Sequence, residues 1–406
     1  MRVSTAQFYF QNGQQMSTKQ ADLNQQSAYL SSGKRVLTAK DDAVAYSTLS
    51  GYQNEIQNIA KYNRNITQAE NRNNLQEVAF SNTTNVLNEL KDLFIQANNG
   101  VYSDADLASI SQQASNSLQQ ILDIANSKDE TGGYVFSGFQ IDTKPFEIQP
   151  DNTVVYHGDD GIRELQIAKN VMVDTNISGD VAFAKVANSI GDFSANYTNN
   201  TSGFSVESAE IKRPGDYNLT PGAGYPTPLT FTFGATSQDL IVTDADGDQM
   251  LNINNYTPGQ LITLPNGVDV QLNGNPLPGD VVELVPEQTI SIFDTIKSAI
   301  DWLNVGTAVV SDTQHQVDYN TILSQLNVAL DHISTQRADA GINLQLIDRQ
   351  KNNHADTELY LKSGQSSIED LDFSKAISDF EQSKMALQAA QQTFSQIRNL
   401  NLFNYI

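Results

Sequence analysis

A chain of 406 residues with 24 Lys and Arg against 47 Asp and Glu carries a formal charge of −23, which repels polyphosphates and anionic lipid alike. No Lys/Arg-rich run overrides that field locally, and no stretch approaches the ~20 apolar residues of a membrane span, so nucleic acid and membrane insertion are both set aside. Cysteine is absent, which removes disulfides, thiolate nucleophiles and Cys-based zinc sites and allows any redox compartment.

From Met1 to Phe10 there is no apolar run of signal-peptide length, so any route out of the cell is expected to work without a cleaved signal peptide. Tyr9, Met16, Leu23 and Leu30 then recur at seven in a segment rich in Gln, Ser and Asn. Their stripe is narrow, and a short helix with little apolar area depends on packing partners because nucleation is costly. In the run SSGKRVLTAKDDA, residues 31–43, Gly33 supplies a turn, and Thr38 with Asp41 offers a capping box for the helix that follows.

That helix has the clearest period in the chain: Ala45, Tyr52, Ile59, Ile66, Asn73, Phe80, Leu87 and Phe94 step strictly by seven. At ~1.5 Å per residue it is a rod roughly 80 Å long. Ser103 with Asp106 opens a further helix to about Ser127.

All eleven prolines fall between Pro145 and Pro286, although roughly 13 would be expected in the remaining residues at ~5% usage. Proline removes an amide donor and clashes with the preceding helical turn, so its absence from both arms and its crowding between them separate helical arms from a β-rich insert. Beyond Gly132 the period moves toward two. Asp160-Gly161, between TVVYHG and IRELQIA, and Asn266-Gly267, between LITL and VDVQL, predict hairpins. The first is expected to cap the helical bundle, the second to belong to a separate β domain.

Ser291 with Asp294 opens a helix through Trp302 that Gly306 can end. The return rod follows, with Tyr319, Leu326, Ile333, Ala340, Ile347, His354 and Leu361 at seven, interrupted by Gly341. Asn73, Arg337, Lys351 and His354 sit in or beside the seams and are expected to fix register at some loss of stability. Phe373, Phe380, Leu387 and Phe394 form a last stripe, followed by the uncharged tail Leu402, Phe403, Tyr405 and Ile406. The fold class expected is mainly α: a long antiparallel coiled-coil bundle of N- and C-terminal arms with an inserted β-rich domain. Its expected divisions are 1–42, 43–185, 186–289, 290–362 and 363–406.

Chemistry is sparse. DADGDQ, residues 244–249, has the alternate acids of a cation loop, but Gln249 and Asn255 stand where an EF-hand wants Gly and Glu, so a hydrated β-turn is expected. His157, His315, His332 and His354 form no HExxH motif, and neither a G-x-S-x-G elbow nor a phosphate-cradling loop occurs. No catalytic residue, cofactor or metal site is expected. The end stripes have too little local chain to bury them, so both ends are expected to be largely disordered in the monomer and to fold when copies assemble.

The run SSGKRVLTAKDDA resembles the N-terminal signature of bacterial flagellins and their relatives, and LNELKDLFIQANNGVYSDADL, residues 87–107, resembles the next block of that family. MRVSTAQFYF at the start, SKMALQAAQQTFSQIRNLNLFNYI at the finish and VVYHGDDGIRELQI between them resemble the hook–filament junction branch of the family, over roughly residues 1–185 and 290–406. The resemblance implies a structural subunit exported through the flagellar type III apparatus. It would self-associate in a ring or helical layer between hook-associated protein 1 and flagellin, with a possible export chaperone on its C-terminal helix. Arg35, Asp41 and Asp42 join Gly33 and the two end stripes as the implied assembly residues. The alternatives are filament flagellin itself and a secreted coiled-coil rod carrying a β adhesin.

Overall fold

The computed structural model describes residues 2–98, 102–217, 227–305 and 312–403, with side chains described for all of these except 2–6, 8, 312 and 397–403. Helices fill both arms: α1 (Arg2–Ser32), α2 (Ala43–Ala97) and α3 (Asp104–Ala125) before the insert, the single turn α4 (Pro214–Tyr217) within it, and α5 (Ile292–Val305), α6 (Asp312–Glu369) and α7 (Phe373–Phe403) after it. The proline-free stretches are the helical ones, as the missing amide donor requires.

Two compact units emerge. The first joins Met1–Arg64 to Arg349–Ile406, and the second is Asn65–Asp348. The division falls inside α2 and α6 rather than at the helix ends, because each long helix pairs first with one set of partners and then with another.

In the second unit, the seven-residue stripes become core. Phe80, Leu87 and Phe94 of α2 bury with Ile110, Leu118 and Ile121 of α3, with Phe293 and Trp302 of α5, and with Leu326 and Ile333 of α6. The Phe94 ring lies 5.0 Å, centre to centre, from both Trp302 and Tyr319, which also touch each other at 5.6 Å. The capping box at Ser103 is realised in both directions, with Asp106 closing it. Ser291 accepts the amide of Asp294 and opens α5, which continues three residues past Trp302; Gly306 lies outside the described residues.

One predicted hairpin is absent. β1 (Phe146–Ile148) pairs with β2 (Val154–Tyr156), and β3 (Glu164–Ala168) pairs with β4 (Val171–Asp174), so Asp160-Gly161 links two hairpins instead of turning one. The Asp159 carboxylate accepts the amides of Phe139 and Gly161 and fixes the link. Gly161 does not adopt positive φ; its hydrogen faces the Phe139 ring where a Cβ would collide at 2.2 Å. A close approach, not turn geometry, requires glycine there.

The polar seam residues of α2 have a specific use. Asn73 donates to the Asp174 carbonyl, Gln76 to that of Thr175 and Asn65 to that of Gln166, so amides in the seam hold β3, β4 and the residue that follows β4. Ile66, Ala69 and Ile347 pack on Ile167 and Val173 beside them.

The insert has its own core. β5 (Val186–Ala187) and β14 (Thr289–Ile290) pair where the chain enters and leaves it. One antiparallel sheet contains β6 (Phe193–Asn199), β8 (Leu229–Phe233), β9 (Leu240–Thr243), β10 (Gln249–Ile253) and β13 (Val281–Pro286), in the order β10-β9-β8-β13-β6. The other contains β7 (Ser205–Ile211), β11 (Leu261–Thr263) and β12 (Val268–Asn273), in the order β11-β12-β7. Phe204, Phe231, Phe233, Tyr256 and Leu272 fill the space between them. Asn266-Gly267 forms the expected turn, with Gly267 at φ 86° and Leu264 donating to Val268. DADGDQ closes the β9–β10 hairpin, and the Asp244 carboxylate accepts the amides of Asp246 and Asp248.

Gly341 sits mid-helix in α6, and no atom outside its own helical turns comes within 4 Å of where a Cβ would stand. Gly341→Ala should therefore stabilise the second unit by about 1 kcal/mol through helix propensity alone. The single Trp302, buried in that unit, reports its unfolding in urea by fluorescence, and an unchanged or lowered midpoint would contradict the account.

Candidate assembly interface

The described residues that sequence reasoning assigned to assembly all lie in the first unit, whose geometry begins at Gly33. α1 ends at Ser32, Gly33 takes φ 69°, and its amide donates to the Tyr29 carbonyl at 2.9 Å, a left-handed helix stop. The chain leaving this stop meets the chain leaving α6. The Arg35 amide donates to the Glu369 carbonyl at 2.6 Å and the Leu371 amide to the Gly33 carbonyl at 3.0 Å, with Lys34 opposite Asp370 in an antiparallel bridge.

Side chains reinforce this pair of elbows. Lys34 Nζ lies 2.5 Å from the buried Glu369 carboxylate, and Arg35 Nη2 donates to the Ile368 carbonyl at 2.9 Å. Val36 buries with Ala45 and Leu49 beneath them. Phe373, the first residue of α7, places its ring 3.5 Å from where a Gly33 Cβ would stand, so both helix ends close over one another.

Asp41 ties the loop to α1. One oxygen accepts the Leu37 amide, the Thr38 amide and the Thr38 hydroxyl; the other accepts the Tyr29 hydroxyl at 2.8 Å and the Gln25 amide at 3.0 Å. The Tyr29 hydroxyl, then the Thr38 amide, hold this carboxyl down to about 2 from its ordinary 3.8. Burial and the same bond push the Tyr29 hydroxyl up.

The expected Thr38–Asp41 cap of α2 is replaced by two devices. Thr38 and Asp41 close a turn of their own, and Asp42 caps α2 by accepting the Ala45 amide at 2.9 Å, with Arg35 3.8 Å away. The helix starts one residue past Asp42, too far from Thr38 to be capped by it. Asp372 is the equivalent cap of α7, accepting the Lys375 amide. Sequence reasoning passed over it, although an Asp directly before the stripe at Phe373 is a cap signal. It also passed over Gln25, Tyr29 and Glu369, whose partners are not local.

The end stripes face each other. α1 and α7 pack antiparallel, with the Tyr9 and Phe394 rings edge to face at 5.8 Å. This differs from the expectation of unstructured ends: each narrow stripe supplies the packing partner the other lacks. The shelter is incomplete. Leu387 is buried at 6% exposure, whereas Tyr9, Met16, Leu23, Leu30, Phe380 and Phe394 are half-buried and Phe373 is exposed. Phe10 at 66%, Ile377 at 53% and Met385 at 60% lie open off the stripes, where heptad counting does not look. The side chains of Leu402 and Phe403, and all of Tyr405, lie outside the described residues.

His157 faces the Glu147 carboxylate, His315 stacks on Trp302 and His332 Nε2 lies 2.9 Å from the Val181 carbonyl. In the first unit His354 Nδ1 lies 3.0 Å from Asn63 Oδ1 and its ring packs on Tyr62, while burial pushes its pKa down. Among the described residues no cluster of three or more His, Asp or Glu side chains is arranged to hold a metal ion.

Two long arms, paired elbows and helices whose apolar side chains stay partly open define a structural class of protein built to pack against further chains. The chain belongs to the bacterial flagellin family: its residues 3–140 match the flagellin N-terminal helical region and 323–406 the flagellin C-terminal helical region. Within it, the chain is 29% identical over 217 residues to flagellar hook-associated protein 3 of Escherichia coli, covering 53% of this chain and 68% of that one. The polar flagellin B/D of Vibrio parahaemolyticus is 23% identical over 397 residues, 97% of this chain and 94% of that one. The crystal structure of the flagellar junction protein FlgL from Legionella pneumophila superposes with a TM-score of 0.63 at 28% identity, over 79% of this chain and 100% of that one. The family is structural, not enzymatic.

Because the folded-state value of Asp41 lies below the unfolded one, its contacts stabilise the elbow fully above pH about 4 and are lost as pH falls through about 2. The amide resonances of Leu37 and Thr38, followed by NMR, should titrate with a midpoint near 2. A midpoint at 3.8 would show that Asp41 is free.

Proposed function

We propose that this chain is a structural subunit of the bacterial flagellum at the hook–filament junction, joining copies of itself by burying the outer faces of α1 and α7. The observation that carries the reading is the half-sheltered helix pair. Its stripes suffice to hold two helices together, yet Phe10, Ile377 and Met385 remain in water on the same two elements. Burying each such side chain stabilises an interface by ~1.5–3 kcal/mol, so a few per copy can drive polymerisation. A copy that offers two different faces to its neighbours adds heterologously and builds a ring or tube.

The identity to hook-associated protein 3 and the likeness to a solved junction protein support the junction position. In that position the neighbours are hook-associated protein 1 on one side and flagellin on the other, and the subunit reaches it through the flagellar type III apparatus without a cleaved signal peptide. α7, with its open apolar side chains, is the segment an export chaperone would cover. Filament flagellin is the second reading, favoured by the nearly full-length likeness to polar flagellin B/D.

A deletion separates the two: loss of a junction subunit leaves finished hooks and flagellin shed as monomer, whereas loss of flagellin leaves junctions and no shed subunit. Leu387→Asp should abolish incorporation and motility while Trp302 fluorescence still reports a folded second unit. Immunogold labelling should place the parent protein in one band at the hook-proximal end of the filament. Label along the whole filament would assign it as flagellin, and normal motility of Leu387→Asp would remove the α1–α7 pair from assembly.

A further inference from the structure

The chain holds four Asn-Gly pairs, at residues 12–13, 99–100, 266–267 and 273–274. Residues 99–100 lie outside the described ones, and the other three pairs sit in different surroundings. Gly13 lies inside α1, where its amide belongs to the helical ladder. Asn266 is buried, and the Gly267 amide donates to the Leu264 carbonyl at 3.1 Å. At the end of β12 the arrangement differs: Asn273 is exposed, and the Gly274 amide donates at 2.8 Å to Oδ1 of the Asn273 side chain beside it. Gly274 takes φ 94°, and a Cβ on it would stand 3.1 Å from the Phe204 Cα, so the close approach keeps this position glycine.

We propose that Asn273 is a self-modifying site, at which the main chain converts the side-chain amide to a carboxylate with water as the co-reactant. The Gly274 nitrogen, after its proton passes to solvent, forms a bond to Cγ of Asn273; the bond from Cγ to the side-chain nitrogen breaks, and ammonia leaves. Water then adds to one of the two carbonyls of the resulting five-membered imide and opens it to aspartate or to isoaspartate, with no electron transferred. A nucleophile that already rests against the reacting group has a short way to travel. The Gly13 and Gly267 amides must first leave their carbonyl partners. Each conversion adds one negative charge to the insert. The isoaspartate route also routes the main chain through Cβ at the last β12–β7 pair, where Asn273 stands opposite Ser205. The chemistry is independent of how copies of the chain assemble.

The test incubates the full chain in heavy-oxygen water at mildly alkaline pH, digests it at intervals and follows each Asn-Gly peptide by mass spectrometry, with isoaspartyl methyltransferase labelling to count the rearranged product. In the folded protein Asn273 should convert at least about tenfold faster than Asn12 and Asn266, and its new carboxylate should carry the heavy oxygen. In urea that unfolds the chain the three rates should converge, because each pair has the same glycine and the fold alone makes the contrast. An Asn273 that keeps its amide, or converts no faster than Asn266 in the folded protein, would overturn the assignment. So would an order of rates that persists unchanged in urea, since sequence rather than the geometry at β12 would then have set it.

Discussion

The bridge between Gly33–Arg35 and Glu369–Leu371 is the constraint on which the first unit depends. α1 and α7 each have a stripe too narrow to hold a helix alone, and nucleating an isolated helix is unfavourable. Pairing the two elbows through backbone hydrogen bonds sets the last turn of α1 beside the first turn of α7. Each then propagates against an existing surface. Asp41 reaches back across the glycine to Tyr29 and Gln25, so the angle at which α1 leaves the elbow is held by side chains of α1 itself.

The bridge also explains why glycine and aspartate crowd so short a run. Gly33 is the one residue type that takes φ 69° without a Cβ penalty, and that turn is what aims Lys34 and Arg35 at the partner strand. Asp41 and Asp42, adjacent in sequence, divide two tasks that a single residue cannot perform: one carboxylate satisfies the loop and α1, the other the Ala45 amide in the first turn of α2.

Much of this was legible from sequence because its physics is local. The seven-residue steps through Phe80, Leu87 and Phe94, and through Leu326 and Ile333, report helix geometry directly, and the Ser103 and Asn266-Gly267 signals need only their neighbours. Where sequence failed, a distant group decided. Asp160-Gly161 has the composition of a turn, but the Phe139 ring and the Asp159 carboxylate assign it another role. Asn73 looks like a flaw in a seam until the Asp174 carbonyl, 101 residues away, is brought to it. The strand order of the insert, with β13 between β8 and β6, is set by long-range pairing that no short pattern encodes.

The partial shelter of the α1–α7 pair follows from the narrowness of its two stripes. On the reading proposed above, a chain that associates through these helices cannot bury their apolar residues completely, because nothing would remain to drive assembly; nor can it leave them wholly open without associating too early. Half-burial of Phe380 and Phe394 places adhesion between these limits. The near-neutral balance of the first unit, 13 Lys and Arg against 11 Asp and Glu, suits that reading, because an unpaired carboxylate desolvated in an interface costs several kcal/mol.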